Sequence, residues 1–185
     1  MKPNLKVSVF IATSLDGFIA RKNGSIDWLE KASSLAPQGE DCGYHDFFNS
    51  TDTLVMGRKT FETVLGFPQW PYENKKVIVL SSTLKTLPIN IPPSVELKSG
   101  SPLQILNELY EQGSRHVYLD GGVTIQNFLF EKLVDEMTLT QIPILLGEGL
   151  SLFGKLKEDQ TLELISSKAY PFGFVSNKYK LLAAK

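Results

Sequence analysis

The chain has 185 residues, 42% hydrophobic and 21% charged, with nineteen Lys and Arg against twenty Asp and Glu for a formal net charge of −1. Those proportions describe an ordinary globular protein of one domain and give no footprint for nucleic acid. No apolar run approaches the ~18 to 20 residues that span a bilayer, and the first residues carry no signal-peptide core, so a cytoplasmic protein without membrane partners is expected. Cys42 is the only cysteine, which excludes an intrachain disulfide and a multi-cysteine zinc cluster.

Leu5 to Thr13 starts with alternation and becomes continuously apolar, the pattern of a strand in the middle of a covered sheet. The chain then turns through Ser14-Leu15-Asp16-Gly17 into Phe18-Ile19-Ala20, and a polar loop, Arg21 to Ser25, precedes Trp28, which reads as a packing anchor. Glu30 to Gly39 has no period and reads as a connection or a frayed turn. Tyr44, Phe47 and Phe48 then fall at helical spacing after an acidic start. Thr53 to Met56 is a short strand, turned by Gly57-Arg58-Lys59-Thr60 into a helix that runs to about Leu65.

Lys76 to Leu80 is a third strand, closed by Ser81-Ser82-Thr83, and Val95 to Leu97 is a short fourth. Pro102 to Gln112 places Leu103, Leu106 and Leu109 on one helical face, with proline in the first turn and Gly113 as the stop. Val117 to Leu119 forms another strand, ended by Gly121-Gly122, and a helix begins at Val123. Met137 to Leu146 is β-like. Leu162 to Ser167 and Phe174 to Leu182 flank a Pro171-Phe172-Gly173 turn, so these last two strands should be antiparallel.

Repeated strand–helix units imply an α/β fold with a mainly parallel central sheet covered on both faces and an antiparallel C-terminal hairpin at one edge. Ligands of such sheets bind beyond the carboxyl ends of the strands. There Arg58 and Lys59 offer charge, Thr60, Ser81 and Ser82 offer hydroxyls, and Gly121-Gly122 offers free backbone N–H groups, the equipment for a phosphorylated nucleotide. Taken singly, each residue also serves as a turn former or helix cap. His45 and His116 read as structural, and no metal site is expected.

The strings Ile11 to Ala20, Val55-Met56-Gly57-Arg58-Lys59-Thr60-Phe61-Glu62, Val79-Leu80-Ser81-Ser82 and Tyr118-Leu119-Asp120-Gly121-Gly122 resemble, in order, the motifs of the dihydrofolate reductase superfamily. The resemblance implies a dihydrofolate-reductase-like three-layer fold that binds NADPH. Arg58, Lys59, Thr60, Ser81 and Ser82 would meet its 2′-phosphoadenosine part, and Gly57 belongs to the same turn. Gly121, Gly122, Val123 and Thr124 would meet its pyrophosphate. Ala12 and Ile19 would flank the nicotinamide, under a lid formed by Lys22 to Ser25. It also implies a cis peptide between Gly121 and Gly122.

Within the superfamily, Asp135 to Thr140 followed by Ile142-Pro143-Ile144-Leu145-Leu146-Gly147-Glu148-Gly149 and Leu152-Phe153 is similar to the reductase domain of the riboflavin-biosynthesis deaminase–reductase. One cysteine leaves no zinc site for a deaminase half. The resemblance implies NADPH-dependent reduction of a pyrimidine-like or pterin-like substrate at a carbonyl or C=N group. Dihydrofolate reduction, or a catalytically silent nucleotide-binding protein, are the alternatives. The matching position for the substrate carboxylate is Asp41, with Glu40 and Asp46 near it, and burial there would raise its pKa. Apolar residues from Ile142 to Phe153 suggest a symmetric homodimer.

Overall fold

The computed structural model describes residues 2–72 and 75–182. In chain order the elements are β1 (Lys6–Ser14), β2 (Phe18–Ala20), α1 (Asp27–Ser33), α2 (Tyr44–Ser50), β3 (Thr53–Gly57), α3 (Arg58–Leu65), β4 (Lys76–Leu80) and β5 (Val95–Lys98). They continue with α4 (Pro102–Glu111), β6 (His116–Asp120), α5 (Gly122–Phe130), β7 (Glu136–Ile142), β8 (Leu150–Ser151), β9 (Leu162–Ala169) and β10 (Val175–Leu181).

Eight strands form one sheet in the order β5-β4-β3-β6-β1-β7-β10-β9. The pairings from β5 to β7 are parallel, and β10 and β9 add an antiparallel hairpin at the edge, the sheet expected from the sequence. Side chains alternate across a strand, so both faces must be covered for strands as apolar as these. On one face Val7, Val9, Val55, Ile78 and Leu119 pack with Ile105, Leu106 and Leu109 of α4 and Ile125 and Phe128 of α5. On the other face Leu54, Met56, Val77 and Val79 pack with Phe61 and Val64 of α3 and the rings of α2. This gives three layers.

Local chemistry sets the element ends. Ser101 caps α4 by accepting the Gln104 N–H while the Gln104 side chain accepts from the Ser101 N–H, and Pro102 occupies the first turn where its missing donor costs nothing. Asp16 fixes the turn after β1, accepting from Ser14 Oγ at 2.6 Å and from the N–H of Gly147 at 2.7 Å. That bond ties the loop across the sheet end to the segment after β7.

Three expectations change. The stretch from Glu30 onward is not only connection, because α1 begins at Asp27 and seats Trp28 in a cluster with Ile142, Tyr170 and Phe174. β2 and β8 form a small second sheet that the sequence did not signal. Of the apolar residues assigned to an interface, Ile142 at the end of β7 and Leu152 just after β8 are core, while Leu145, Leu150 and Phe153 are exposed. The larger exposed apolar row is on the edge strand β9, whose residues are all exposed.

Gly113 ends the α4 turn at φ +96°, and a Cβ built there would meet nothing within 4 Å. The cost of Gly113→Ala is therefore the left-handed backbone alone, about 1 to 2 kcal/mol. A urea titration should show a lower midpoint with an unchanged slope. A variant as stable as the parent would show that the turn relaxes out of that region.

Candidate active site

The parallel strands end on one edge of the sheet, and a cleft of about 1330 Å³ opens there. Two strand–turn–helix junctions form its floor. β3 passes through Gly57 into α3, and β6 passes through Gly121 into α5. Neither helix has a side-chain cap, and neither has an acidic residue in its first turn. The first N–H groups of a helix lack intrahelical acceptors and sit at the positive end of its dipole. Two bare N-termini on one cleft form an anion cradle built from backbone.

The nucleotide residues named from the sequence are brought together. Ala12, Ile19, Gly57, Arg58, Lys59, Thr60, Ser81, Ser82, Gly121, Gly122, Val123 and Thr124 all line this cleft, as do Lys22, Asn23 and Gly24 of the loop before α1. Arg58 donates to Glu62 at 2.6 Å, one helical turn on. Ser81 Oγ accepts from the N–H of Leu84 at 2.9 Å and of Thr83 at 3.2 Å, which holds the turn after β4 against the cleft. The segment after β5, Ser99 and Gly100, also reaches the cleft and was not expected there.

The diglycine turn differs from the expected form. No cis peptide bond occurs among the described residues. Gly121 instead makes the turn with φ +88° and ψ 135°, a conformation open to glycine that lets the chain enter α5 through a trans bond. The two glycines also differ from each other. A Cβ on Gly121 would collide with Thr60 Oγ1, whereas one on Gly122 would press on the movable end of Ile19, 2.8 Å away.

Asp41 lies elsewhere than a buried acid would. It is exposed before α2, and its carboxylate accepts the N–H of His45 at 2.7 Å and of Gly43 at 2.8 Å. Those bonds, the His45 one foremost, lower its pKa rather than raising it. Asp41 caps a helix at the rim of a side pocket of about 140 Å³, which shares Phe10, Ala12 and Leu29 with the main cleft.

The acid that burial does affect is Asp120, the last residue of β6. It lines the cleft between Tyr118 and Gly121, and burial raises its pKa to about 6 although the Gly121 N–H, at 2.8 Å from Oδ1, pulls the other way. Tyr44 and Tyr72 also line the cleft. Burial first, and the Asp120 charge second, push the hydroxyl of Tyr44 up to about 12 and those of Tyr72 and Tyr118 upward as well. Tyr118 donates to the Phe10 carbonyl at 3.3 Å. Asp120 was in view in the sequence, directly before the glycine pair, and its lone position at the end of a buried strand was the signal for it.

Layer order, strand order and the edge where the cleft opens define a dihydrofolate-reductase-like α/β protein. More narrowly, the chain belongs to the RibD C-terminal domain family, which it matches over residues 5–176. A protein of Shewanella sp. PV-4, assigned provisionally to riboflavin biosynthesis, superposes with a TM-score of 0.90 at 42% identity, covering 97% of this chain and 100% of that one. The Thermotoga maritima diaminohydroxyphosphoribosylaminopyrimidine deaminase/5-amino-6-(5-phosphoribosylamino)uracil reductase superposes with a TM-score of 0.71 at 19% identity, over 96% of this chain and 57% of that one. Dihydrofolate reductase of Enterococcus faecalis, in complex with NADP(H), shares the fold with a TM-score of 0.62 at 19% identity, over 96% of this chain and 97% of that one.

The half-buried carboxyl of Asp120 has a consequence for stability. Between about pH 4 and 6 the folded chain keeps a proton that the unfolded chain releases, so this group's contribution falls as pH rises through that window. Asp120→Asn should therefore stabilise the protein at pH 7.5, by roughly 1 to 3 kcal/mol after allowance for partial exposure. The gain should vanish as the pH approaches 4. Thermal melts of both proteins across that range measure it, and a gain independent of pH would assign the effect to packing instead.

Proposed function

We propose that the protein is an NADPH-dependent reductase of a small pyrimidine-like or pterin-like compound. The observation that carries this reading is the meeting, in one cleft, of two uncapped helix N-termini with the half-buried carboxyl of Asp120, whose pKa desolvation raises to about 6. The first suits a dinucleotide's phosphates and the second suits a proton donor. The family relationship supports the same activity class, since the T. maritima relative is a 5-amino-6-(5-phosphoribosylamino)uracil reductase.

The backbone donors of Gly122, Val123 and Thr124 would hold the pyrophosphate, and Arg58 with Ser81 and Ser82 would hold a 2′-phosphate, where charge-assisted bonds are strong. Ala12 and Ile19 are small enough, or movable enough, to leave room for the nicotinamide against β1. When bound, the cofactor supplies a hydride. Asp120 Oδ1 is engaged by the Gly121 N–H, so Oδ2 carries the proton. In reduction of a C=N group Asp120 would give its proton to the nitrogen as the carbon is reduced, and solvent would return a proton to the carboxylate. The aromatic walls from Phe10, Tyr44 and Tyr118 exclude water and flank a flat ring.

Two measurements test this. Arg58→Ala should weaken NADPH far more than NADH in a fluorescence titration, and equal losses would remove Arg58 from the 2′-phosphate. With pyrimidine and pterin acceptors, Asp120→Asn should lower kcat by about 10²- to 10⁴-fold. The parent's rate should fall as pH rises through about 6, because the acid must hold its proton. NADPH binding without turnover of any such acceptor would favour a silent nucleotide-binding protein.

The same reading includes a symmetric homodimer. Leu162, Leu164 and Ile165 on the edge strand β9 are 39%, 55% and 50% exposed, and an unpaired apolar edge of this length associates unless it is covered. Light scattering at micromolar concentration should give twice the chain mass. Leu164→Lys should give a monomer, and a monomeric parent would end the proposal.

A further inference from the structure

Arg58 opens α3 and Glu62 lies one turn further along the same helix, and both line the cleft together with Ser81, Ser82 and Thr83. The Arg58 guanidinium donates through Nη1 to Glu62 Oε1 at 2.6 Å. The two side chains are 41% and 51% exposed, and a pair so exposed contributes little to stability. A carboxylate among groups that suit a phosphate also repels it. Glu62 therefore carries a penalty in this cleft that helix pairing alone does not offset.

A long side chain in the first helical turn leans toward the N-terminus, which here would carry the guanidinium over the bare N–H groups of α3. An acceptor one turn further on holds its end along the flank of the helix instead. The bond occupies Nη1 and leaves the edge formed by Nε and Nη2, two parallel donors that match two oxygens of a phosphate. In a dinucleotide two phosphate positions compete for that edge. The pyrophosphate is common to NADPH and NADH, whereas the 2′-phosphate belongs to NADPH alone. An untethered arginine would reach either position and favour both cofactors. One tethered to the flank of α3 would favour the second position only.

We infer that Glu62 is a positioning residue that sets cofactor preference: by holding Nη1 it turns the remaining donor edge of Arg58 toward the Ser81–Ser82 end of the cleft and keeps the guanidinium off the pyrophosphate. The inference rests on the proposed NADPH-dependent function and adds the residue that makes Arg58 selective. Glu62 acts through the arginine and touches neither cofactor. Its acceptor oxygen is what the role needs, and its charge is the part that opposes the phosphate.

The test is a set of fluorescence titrations of the full chain with NADPH and with NADH, the fold of each variant being checked by thermal melting. Glu62→Ala should weaken NADPH by about tenfold, the size of one charge-assisted hydrogen bond, and leave NADH unchanged or tighter. Glu62→Gln, whose amide oxygen still accepts from Nη1, should keep most of the preference. On an Arg58→Ala background the loss of Glu62 should leave the NADPH-to-NADH ratio as it is, because the two residues act as one. Tighter NADPH binding by Glu62→Ala would overturn the inference and make Glu62 a competitor of the phosphate. An equal loss for both cofactors would reduce it to a helix-stabilising residue, and a Glu62→Gln variant as impaired as Glu62→Ala would remove the tether. A parent that binds neither dinucleotide, or both equally, would end the NADPH reading before any Glu62 variant is compared, so the two failures are distinguishable.

Discussion

Two strand-to-helix turns pack against each other more closely than side chains would allow, and the site depends on that approach. β3 and β6 are neighbours in the sheet, with Met56 opposite Asp120, so their following turns emerge side by side. A Cβ on Gly57 would lie 2.9 Å from Thr124 Oγ1, and one on Gly121 would collide with Thr60 Oγ1. Each turn therefore offers a glycine to the threonine of the other. The threonines hold the first turns of α3 and α5 in place, and the glycines let those helices start on opposite faces of the sheet while their N-termini stay adjacent. Larger residues at either glycine would spread the turns and separate the two sets of N–H groups.

Two other helix starts in the chain are closed by side chains. Asp41 satisfies the head of α2, and Ser101 with Gln104 closes α4. A missing N-cap typically costs about 1 kcal/mol, so α3 and α5 forgo stabilisation that the chain provides elsewhere. The desolvation of the Asp120 carboxyl costs further stability at the same sheet edge. The bare starts of α3 and α5 and the desolvated carboxyl of Asp120 meet at one sheet edge, the coincidence expected when a site rather than the core sets the residue choice.

Periodicity and turn chemistry made the scaffold legible. The buried strands, the proline and glycine that bracket α4, and the Pro171-Phe172-Gly173 turn each have a local cause that a sequence displays. The residues picked out by motif order likewise line one cleft. What escaped was set by partners distant along the chain. β2 becomes a strand because Leu150 and Ser151 arrive beside it, and Ile142 is buried because Trp28, Tyr170 and Phe174 surround it. Asp41 matched in spacing, yet its environment was decided by two nearby backbone N–H groups that a motif cannot show.

Asp120 shows how the sheet itself produces the chemistry. Side chains alternate along β6: Leu119 joins the α4 and α5 face, while Tyr118 joins the α2 and α3 face. Two residues after Tyr118 is one alternation further, which turns Asp120 toward that second face, beside the tyrosines of the cleft. It is also the last residue before the diglycine turn, so its backbone belongs to the strand while its carboxyl borders the bare N-termini of α3 and α5. A shift of one residue toward the N-terminus would bury it in the apolar layer under α5 without a partner. A shift toward the C-terminus would put it at the N-cap of α5, where a carboxylate would close the bare N-terminus and offset the helix dipole. The end of β6 is thus the position along this segment where an acid can be desolvated enough to raise its pKa to about 6 and still reach the cleft.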